Sequence, residues 1–239
     1  MTTVAAAADA SRRARSRRGE GGQLRAEILA AAEELLLATG SSEAVSIRAV
    51  ADAVGVTPPS IYRHFADKTE LIFAVVDRLC GELDLRMAEA TAGIDDPVEA
   101  LEAIGLAYVR FGLDRPEPYR IMFMSRSDET PAEFQDERLG HVLAFERAIR
   151  WTQAAIDAGR LRPGLTDARR AATIFWAHAH GLTSLLIAKP HFPWPADDAF
   201  LGEYALAPLR GLLADGEADG RADDQASAGS ADQSRSGER

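Results

Sequence analysis

One cysteine, Cys80, stands in 239 residues. A single thiol cannot close an internal disulfide, which suits a reducing compartment. No basic pattern surrounds Cys80 to activate a thiolate, so it reads as a small buried hydrophobe on a helix rather than a redox sensor. Lysine is scarce as well. Of 27 Lys+Arg, only Lys68 and Lys189 are lysine. No run approaches the roughly 20 uninterrupted apolar residues that cross a bilayer. The alanine run at residues 5–8 precedes the arginine cluster and is too short for a signal-peptide core. A cytoplasmic location is expected from these absences. Enzyme signatures are missing too: there is no P-loop, no Gly-x-Gly-x-x-Gly after a strand, no His-Glu-x-x-His and no Gly-x-Ser-x-Gly. No catalytic residue, cofactor or metal is therefore expected.

What is present is an uneven distribution of charge. The net charge is −10. Residues 1–80 hold ten basic and ten acidic side chains, so the whole deficit lies beyond residue 80. A neutral N-terminal part on an acidic remainder is compatible with DNA contact at one end only. Residues 1–20 carry Arg12, Arg13, Arg15, Arg17 and Arg18 without apolar periodicity and read as a disordered basic arm. Residues 215–239 contain no aromatic, Leu, Ile or Val and read as a disordered acidic tail.

Between the tails the pattern is helical throughout. Val, Ile and Thr never alternate as strands require. Asp67 to Glu70, Asp96 to Glu99 and Thr130 to Glu133 match the capping box, and Gly40 and Gly159 sit where helices end on a left-handed residue. The expected helices run over about 23–39, 47–54, 58–64, 68–92, 97–113, 117–124, 131–158, 167–187 and 198–214. Pro208 should kink or break the last one. The expected fold is all-α. A helix-turn-helix domain of three helices, residues 21–67, precedes a helical-bundle domain, residues 68–214.

Residues 46–71 carry the functional signal. Ser46 can cap a short helix whose Ile47, Val50, Ala51 and Val54 form one apolar stripe. Gly55 supplies a tight turn. Thr57 can cap the next helix, Pro58 starts it, and Ile61 and Phe65 face inward. Leu24, Ile28, Ala31, Ala32, Leu35 and Leu36 supply a third wall. The outward set Thr57, Pro58, Pro59, Ser60, Tyr62, Arg63 and His64 suits a duplex. Hydroxyls and His donate to phosphates, Arg bonds guanine edges, and Pro and Tyr pack on thymine methyls. Lys68 stands at a helix N-terminus that could also hold a phosphate. An ordinary helical corner with solvated polar faces fits the spacing as well.

The run GVTPPSIYRHFADKTEL, residues 55–71, resembles the helix-turn-helix signature of the TetR family. Gly55, Val56, Tyr62, His64, Phe65, Lys68 and Leu71 match, and Ile61 replaces the more common Leu. The resemblance covers about residues 23–72. It implies that Thr57, Tyr62, His64 and Lys68 position the helix on the DNA backbone, with Pro58, Pro59 and Arg63 nearest the bases. Ser46 and Arg48, at the start of the preceding helix, complete the expected contacts.

The C-terminal domain is rich in aromatics at helical spacing, which reads first as core, with the lining of a bundle pocket as the sharper alternative that periodicity does not separate from it. PEPYRIMF (residues 116–123) and the stretch from Trp176 through His180 and Gly181 are similar to the Trp–His–Gly C-terminal domain of one branch of the family. That resemblance implies a ligand-binding and dimerising bundle, with Trp176, His180 and Gly181 on an interface helix. His178 and His180 lie about 200° apart on a helix and cannot share a metal ion. A hydrogen-bonded His180 inside the bundle is the expectation. Tyr108, Phe123, Trp151, Trp176 and His180 are expected to touch a small apolar effector. Leu182, Leu185, Leu186, Phe200, Leu201, Tyr204, Leu209 and Leu212 suggest a homodimer face on helices 167–187 and 198–214.

The reading that follows is a ligand-responsive DNA-binding transcriptional regulator, a repressor released from a palindromic operator by a small-molecule effector. Helix 68–92 is the expected lever between the sites. A constitutive dimeric DNA-binding protein without effector, or a helical enzyme or carrier using the aromatic pocket, are the alternatives.

Overall fold

The computed structural model describes residues 20–124, 143–195 and 198–214. Among them the regular elements are nine helices and a single antiparallel bridge between Leu161 and Leu213. In chain order the helices are α1 (Glu20–Thr39), α2 (Ile47–Val54), α3 (Pro58–Ile61), α4 (Lys68–Ala90), α5 (Pro97–Asp114), α6 (Pro116–Phe123), α7 (Leu143–Asp157), α8 (Ala168–Ala188) and α9 (Asp198–Leu212). The two tails, the cap expected at Thr130 and the helical stretch expected over 131–142 lie outside the described residues. The chain divides into two compact units, Met1–Arg78 and Leu79–Arg239.

The first unit is built by its caps. Ser46 accepts the Ala49 N–H at 3.1 Å and starts α2. Gly55 ends it at φ 74°, where its N–H reaches the Ala51 and Asp52 carbonyls. Ile28, Ala32 and Leu36 of α1 bury against Val50 and Ala51 of α2, and Ile61, Phe65, Leu71 and Val75 complete the core. Asp67 and Glu70 close a reciprocal cap at the start of α4. Asp67 accepts from the Glu70 N–H at 2.8 Å, and the Glu70 carboxylate accepts from the Ala66 N–H at 2.6 Å. Arg78 reaches the nearly buried Glu33 at 3.0 Å.

Two local expectations are corrected here. The α-helix at α3 ends at Ile61 instead of 64, and the next residues form turns whose His64 and Phe65 N–H groups return to the Ile61 carbonyl. The chain must leave the helix early because the Asp67 cap follows only six residues later. Thr57 occupies the N-cap position without a side-chain cap bond. Pro59 at the second helical position has no N–H to offer and the Ser60 N–H goes to the Thr57 carbonyl at 2.8 Å, so the Thr57 hydroxyl meets Ser60 Oγ at 3.2 Å instead.

In the second unit α5, α7 and α8 pack on one another, α9 packs on α5 and α8, and α6 packs on α5. Asp96 caps α5 by accepting from Val98 and Glu99, both at 2.9 Å, and Pro97 fills the first position. Burial alone would raise the Asp96 carboxyl pKa. Bonds from Glu99, Arg160 and Val98 outweigh that and lower it. Asp167 caps α8 by accepting from Arg170 N at 3.0 Å. Two glycines let α5 approach its neighbours. A Cβ on Gly112 would fall 2.2 Å from Thr183 Cγ2 and 2.9 Å from Tyr119 Cδ2, and one on Gly105 would fall 2.7 Å from Phe175 Cζ. Arg147 grips Asp84 through two hydrogen bonds of 2.8 and 3.1 Å, tying α7 to α4.

Two further expectations change. Of the kink or break expected at Pro208, the break does not occur, because the α9 helix continues through it. Leu182 and Leu209 are core residues, 1% and 2% exposed, so neither belongs to an outer face. By length and composition α8 could cross a membrane, yet Phe175, Ala179 and Leu182 on it lie in the bundle core.

Candidate nucleic-acid interface and effector site

The candidate nucleic-acid interface is the outward side of α2, α3 and the turn after it. Ile61 and Phe65 are buried, whereas Tyr62, 54% exposed, and Arg63 beside them face out. Ser46, Arg48, Thr57, Pro58 and Pro59 are also exposed, and Ser60, His64 and Lys68 are half-buried. Arg63 Nη2 lies 3.5 Å from Ser60 Oγ, which leans the guanidinium along the α3 surface. The structure therefore brings all ten residues named from the sequence onto one short segment and its flanks.

The α4 N-terminus differs from expectation. Lys68 Nζ donates to the Glu43 carbonyl at 3.3 Å and so also ties down the loop between α1 and α2. The carboxylates of Asp67 and Glu70 already serve the Glu70 and Ala66 amides, putting negative charge at this helix end. Arg25 of α1 lies over the Phe65 ring at 4.8 Å, a cation next to the same turn that neither motif nor spacing singled out.

The candidate effector site lies in the second unit. Trp176 Nε1 donates to the Tyr108 hydroxyl at 3.2 Å. That hydroxyl lies 3.1 Å from the Tyr119 hydroxyl and 3.3 Å from His180 Nδ1. Tyr119 and His180 Nδ1 are 2.7 Å apart. Phe123 fills the space between them, with ring centroids 5.6 Å from Tyr108, 5.0 Å from Tyr119, 6.3 Å from Trp176 and 5.9 Å from His180. Burial pushes the phenol pKa of Tyr108 upward, with Tyr119 adding to it. Burial likewise raises Tyr119 and lowers the imidazole of His180, so all three are neutral near pH 7.

Four of the five expected effector residues thus meet. Trp151 does not join them: it packs against the core cluster from α7, while Phe145 of the same helix meets Trp176 at 5.6 Å. Tyr119 was missed. It is fully buried and central to the cluster, and its only sequence signal was its place in PEPYRIMF. His178 and His180 diverge as expected, His178 turning to the Tyr204 carbonyl at 2.8 Å. Among the described residues no group of three or more His, Cys, Asp or Glu could hold a metal ion.

Comparison with known proteins bears on both regions. Residues 28–75 match the family model described as bacterial regulatory proteins, tetR family, and residues 101–209 match a tetracyclin repressor-like C-terminal domain. The HTH-type transcriptional regulator TtgR of Pseudomonas putida is 30% identical over 178 residues, covering 72% of this chain and 83% of that one. A solved structure of a protein of unknown function from Rhodococcus sp. RHA1 superposes with a TM-score of 0.66 at 25% identity, covering 79% of this chain and 95% of the other. SmeT, the repressor of the Stenotrophomonas maltophilia multidrug efflux pump SmeDEF, shares the fold with a TM-score of 0.59 at 24% identity, covering 81% and 92%.

Proposed function

The chain belongs to the TetR family of bacterial regulatory proteins, and from that premise we propose that it is a cytoplasmic, ligand-responsive, DNA-binding transcriptional repressor rather than an enzyme. It acts as a homodimer, needs no cofactor, and leaves a palindromic operator when a small, mainly apolar molecule binds its C-terminal domain. The observation that carries this reading is the split across residues 57–65. Ile61 and Phe65 anchor the turn in the core while Thr57, Pro58, Pro59, Tyr62 and Arg63 are left to solvent. An outward set so short gives too little contact for tight specific binding alone, and two copies reading half-sites supply the rest.

In this reading residues 21–67 read the DNA, residues 68–214 bind effector and partner, and residues 1–20 and 215–239 are a basic arm and an acidic tail. The C-terminal domain is of the Trp–His–Gly type, with Trp176, His180 and Gly181 on α8 as its marks. Tyr108, Tyr119, Phe123, Trp176 and His180 form the effector site. The helix α4 carries Lys68 at its start and Asp84 and Met87 within the second unit, so its tilt is the coupling element. An effector acts only through different affinity for the two states. A coupling of about 1–3 kcal/mol loosens the operator roughly 5–150-fold.

The test is selection of bound fragments from random DNA, followed by a release screen with apolar molecules. A recovered palindrome that some of them release supports the reading. No enriched sequence would overturn it. A palindrome that no molecule releases makes the protein a constitutive dimeric DNA binder.

A further inference from the structure

The hydrogens of the aromatic cluster can be assigned by counting. Ser184 has one hydroxyl hydrogen and donates it to the His180 carbonyl at 2.5 Å. Its contact with His180 Nε2 at 3.3 Å therefore needs the imidazole to donate, which places the proton on Nε2. Nδ1 is then an acceptor, and Tyr119 at 2.7 Å donates to it. The Tyr119 oxygen in turn accepts from Tyr108 at 3.1 Å. Tyr108 accepts from Trp176, whose indole N–H can only donate. Trp176, Tyr108, Tyr119, His180 and Ser184 thus form one directed chain that ends on a backbone carbonyl. Every donor in it is used.

What remains for a ligand is a lone pair on the Tyr108 oxygen, in a side chain 4% exposed, because the Tyr119 oxygen already has the Ser184 and Thr183 hydroxyls beside it. Around it are π faces, and the side of the cluster at Trp176, 37% exposed, is open. The guanidinium of Arg169 lies 5.9 Å over the Phe145 ring and is committed to Glu146 at 2.9 Å. Among the described residues nothing in the cluster offers a free hydrogen or a free positive charge.

Building on the effector-site reading, we infer that this cluster selects apolar molecules that carry a hydrogen-bond donor, a hydroxyl or an ammonium, and discriminates against carboxylates and other groups that only accept. A donor reaches a tyrosine lone pair without breaking any bond in the chain. An acceptor must take a hydrogen from Tyr108 or Trp176 and leave a buried partner unsatisfied, which is the costlier event. An ammonium gains further from the ring faces. A carboxylate meets buried neutral hydroxyls and ring faces with no cation to compensate its lost hydration. The neutral imidazole, whose pKa burial lowers, is consistent with this chain direction.

The test is calorimetric titration of the full-length protein at pH 7.5 with four molecules sharing one ring system: 2-naphthylmethanol, 2-naphthylmethylamine, 2-(methoxymethyl)naphthalene and 2-naphthoate. The alcohol and the amine are expected to bind about 3- to 10-fold more tightly than the ether, and the carboxylate to bind weakest. Tyr108→Phe should bring alcohol and ether together. Melting curves of the variant verify folding, and the wild-type series stands without them. Ether or carboxylate binding as well as the alcohol overturns the donor preference and leaves the effector site standing. No binding by any of the four, with no release of operator, overturns both.

Discussion

His178 on α8 donates its Nε2 hydrogen to the backbone carbonyl of Tyr204 on α9 at 2.8 Å. That carbonyl is the one that Pro208, four residues on, leaves without a helical donor. The two rings also stack, with centroids 4.6 Å apart. The missing i→i−4 bond is thus replaced from a neighbouring helix, which accounts for α9 continuing where a break was expected. The replacement makes a double-mutant cycle informative. His178→Phe keeps a ring and removes the donor, and should cost about 0.5–1.5 kcal/mol in denaturant unfolding. Adding Pro208→Ala restores a backbone N–H to the carbonyl and should recover most of that loss. Additive effects of the two changes would mean the contact is incidental.

The pH dependence of stability should be bracketed by the aromatic cluster. The folded pKa of His180 is lowered by burial from 6.5, so below that value the unfolded chain binds the proton first. The stability that the neutral imidazole contributes is present above pH 6.5 and is lost as pH falls toward the folded value. For Tyr108 and Tyr119 the folded values are raised by burial above 10.0, so their contribution is full below pH 10 and is lost as pH rises beyond it. His180→Gln should flatten the acid side between pH 7.5 and 5.5 and leave the alkaline side unchanged. Melting curves across that range in both proteins check this.

Much of the fold was legible because caps are local. Ser46, Asp67 and Asp96 act within three residues of themselves, and Gly40, Gly55 and Gly159 take the left-handed φ their positions implied. The errors arose where partners are distant in sequence. Tyr119 reads as any core aromatic until its hydroxyl is seen on His180, 61 residues away. The rescue of α9 depends on His178, 26 residues before the Tyr204 carbonyl it serves. Trp151 and Phe145 stand six residues apart, about 240° round α7, so only one of them can face Trp176, and the structure puts Phe145 there.

For DNA binding, Tyr62→Ala should weaken affinity for all sequences alike. Arg63→Ala should also relax preference at one or two base pairs, by about 1–3 kcal/mol each. Lys68→Ala should lower both affinity and the salt slope, and it should loosen the loop at Glu43, whose carbonyl it now holds. Fluorescence anisotropy on the selected operator at several salt concentrations separates these effects. Three variants with wild-type affinity would sink the interface.

Among the described glycines, Gly112 leaves the least room for a side chain. Gly112→Ala places a methyl 2.2 Å from Thr183 Cγ2 and 2.9 Å from Tyr119. Overpacking of this kind costs about 1–3 kcal/mol, partly offset by the better helix propensity of alanine. Because Tyr119 holds His180, the loss should include the hydrogen-bonded cluster, seen as a changed tryptophan signal from Trp176. A variant as stable as wild type, with an unchanged spectrum, would show that α5 and α8 can move apart freely.

Gly181 offers the sharpest test of the proposed dimer. On α8 it lies on one stripe with Ile174, His178 and Leu185, and Ile174 and Leu185 are 45% and 48% exposed. Within the subunit a Cβ on Gly181 would meet nothing within 4 Å. Alanine there should therefore stabilise an isolated subunit by about 0.5–1 kcal/mol through helix propensity alone. If this stripe packs against its copy in a second subunit, the same methyl intrudes where two helices meet closely, and the association weakens while the subunit fold does not. Sedimentation of Gly181→Ala across a dilution series should then show dissociation at higher concentration than wild type, with reduced operator affinity at the same concentration. A variant that melts higher and dimerises as tightly as wild type would place the partner surface elsewhere than on this face of α8.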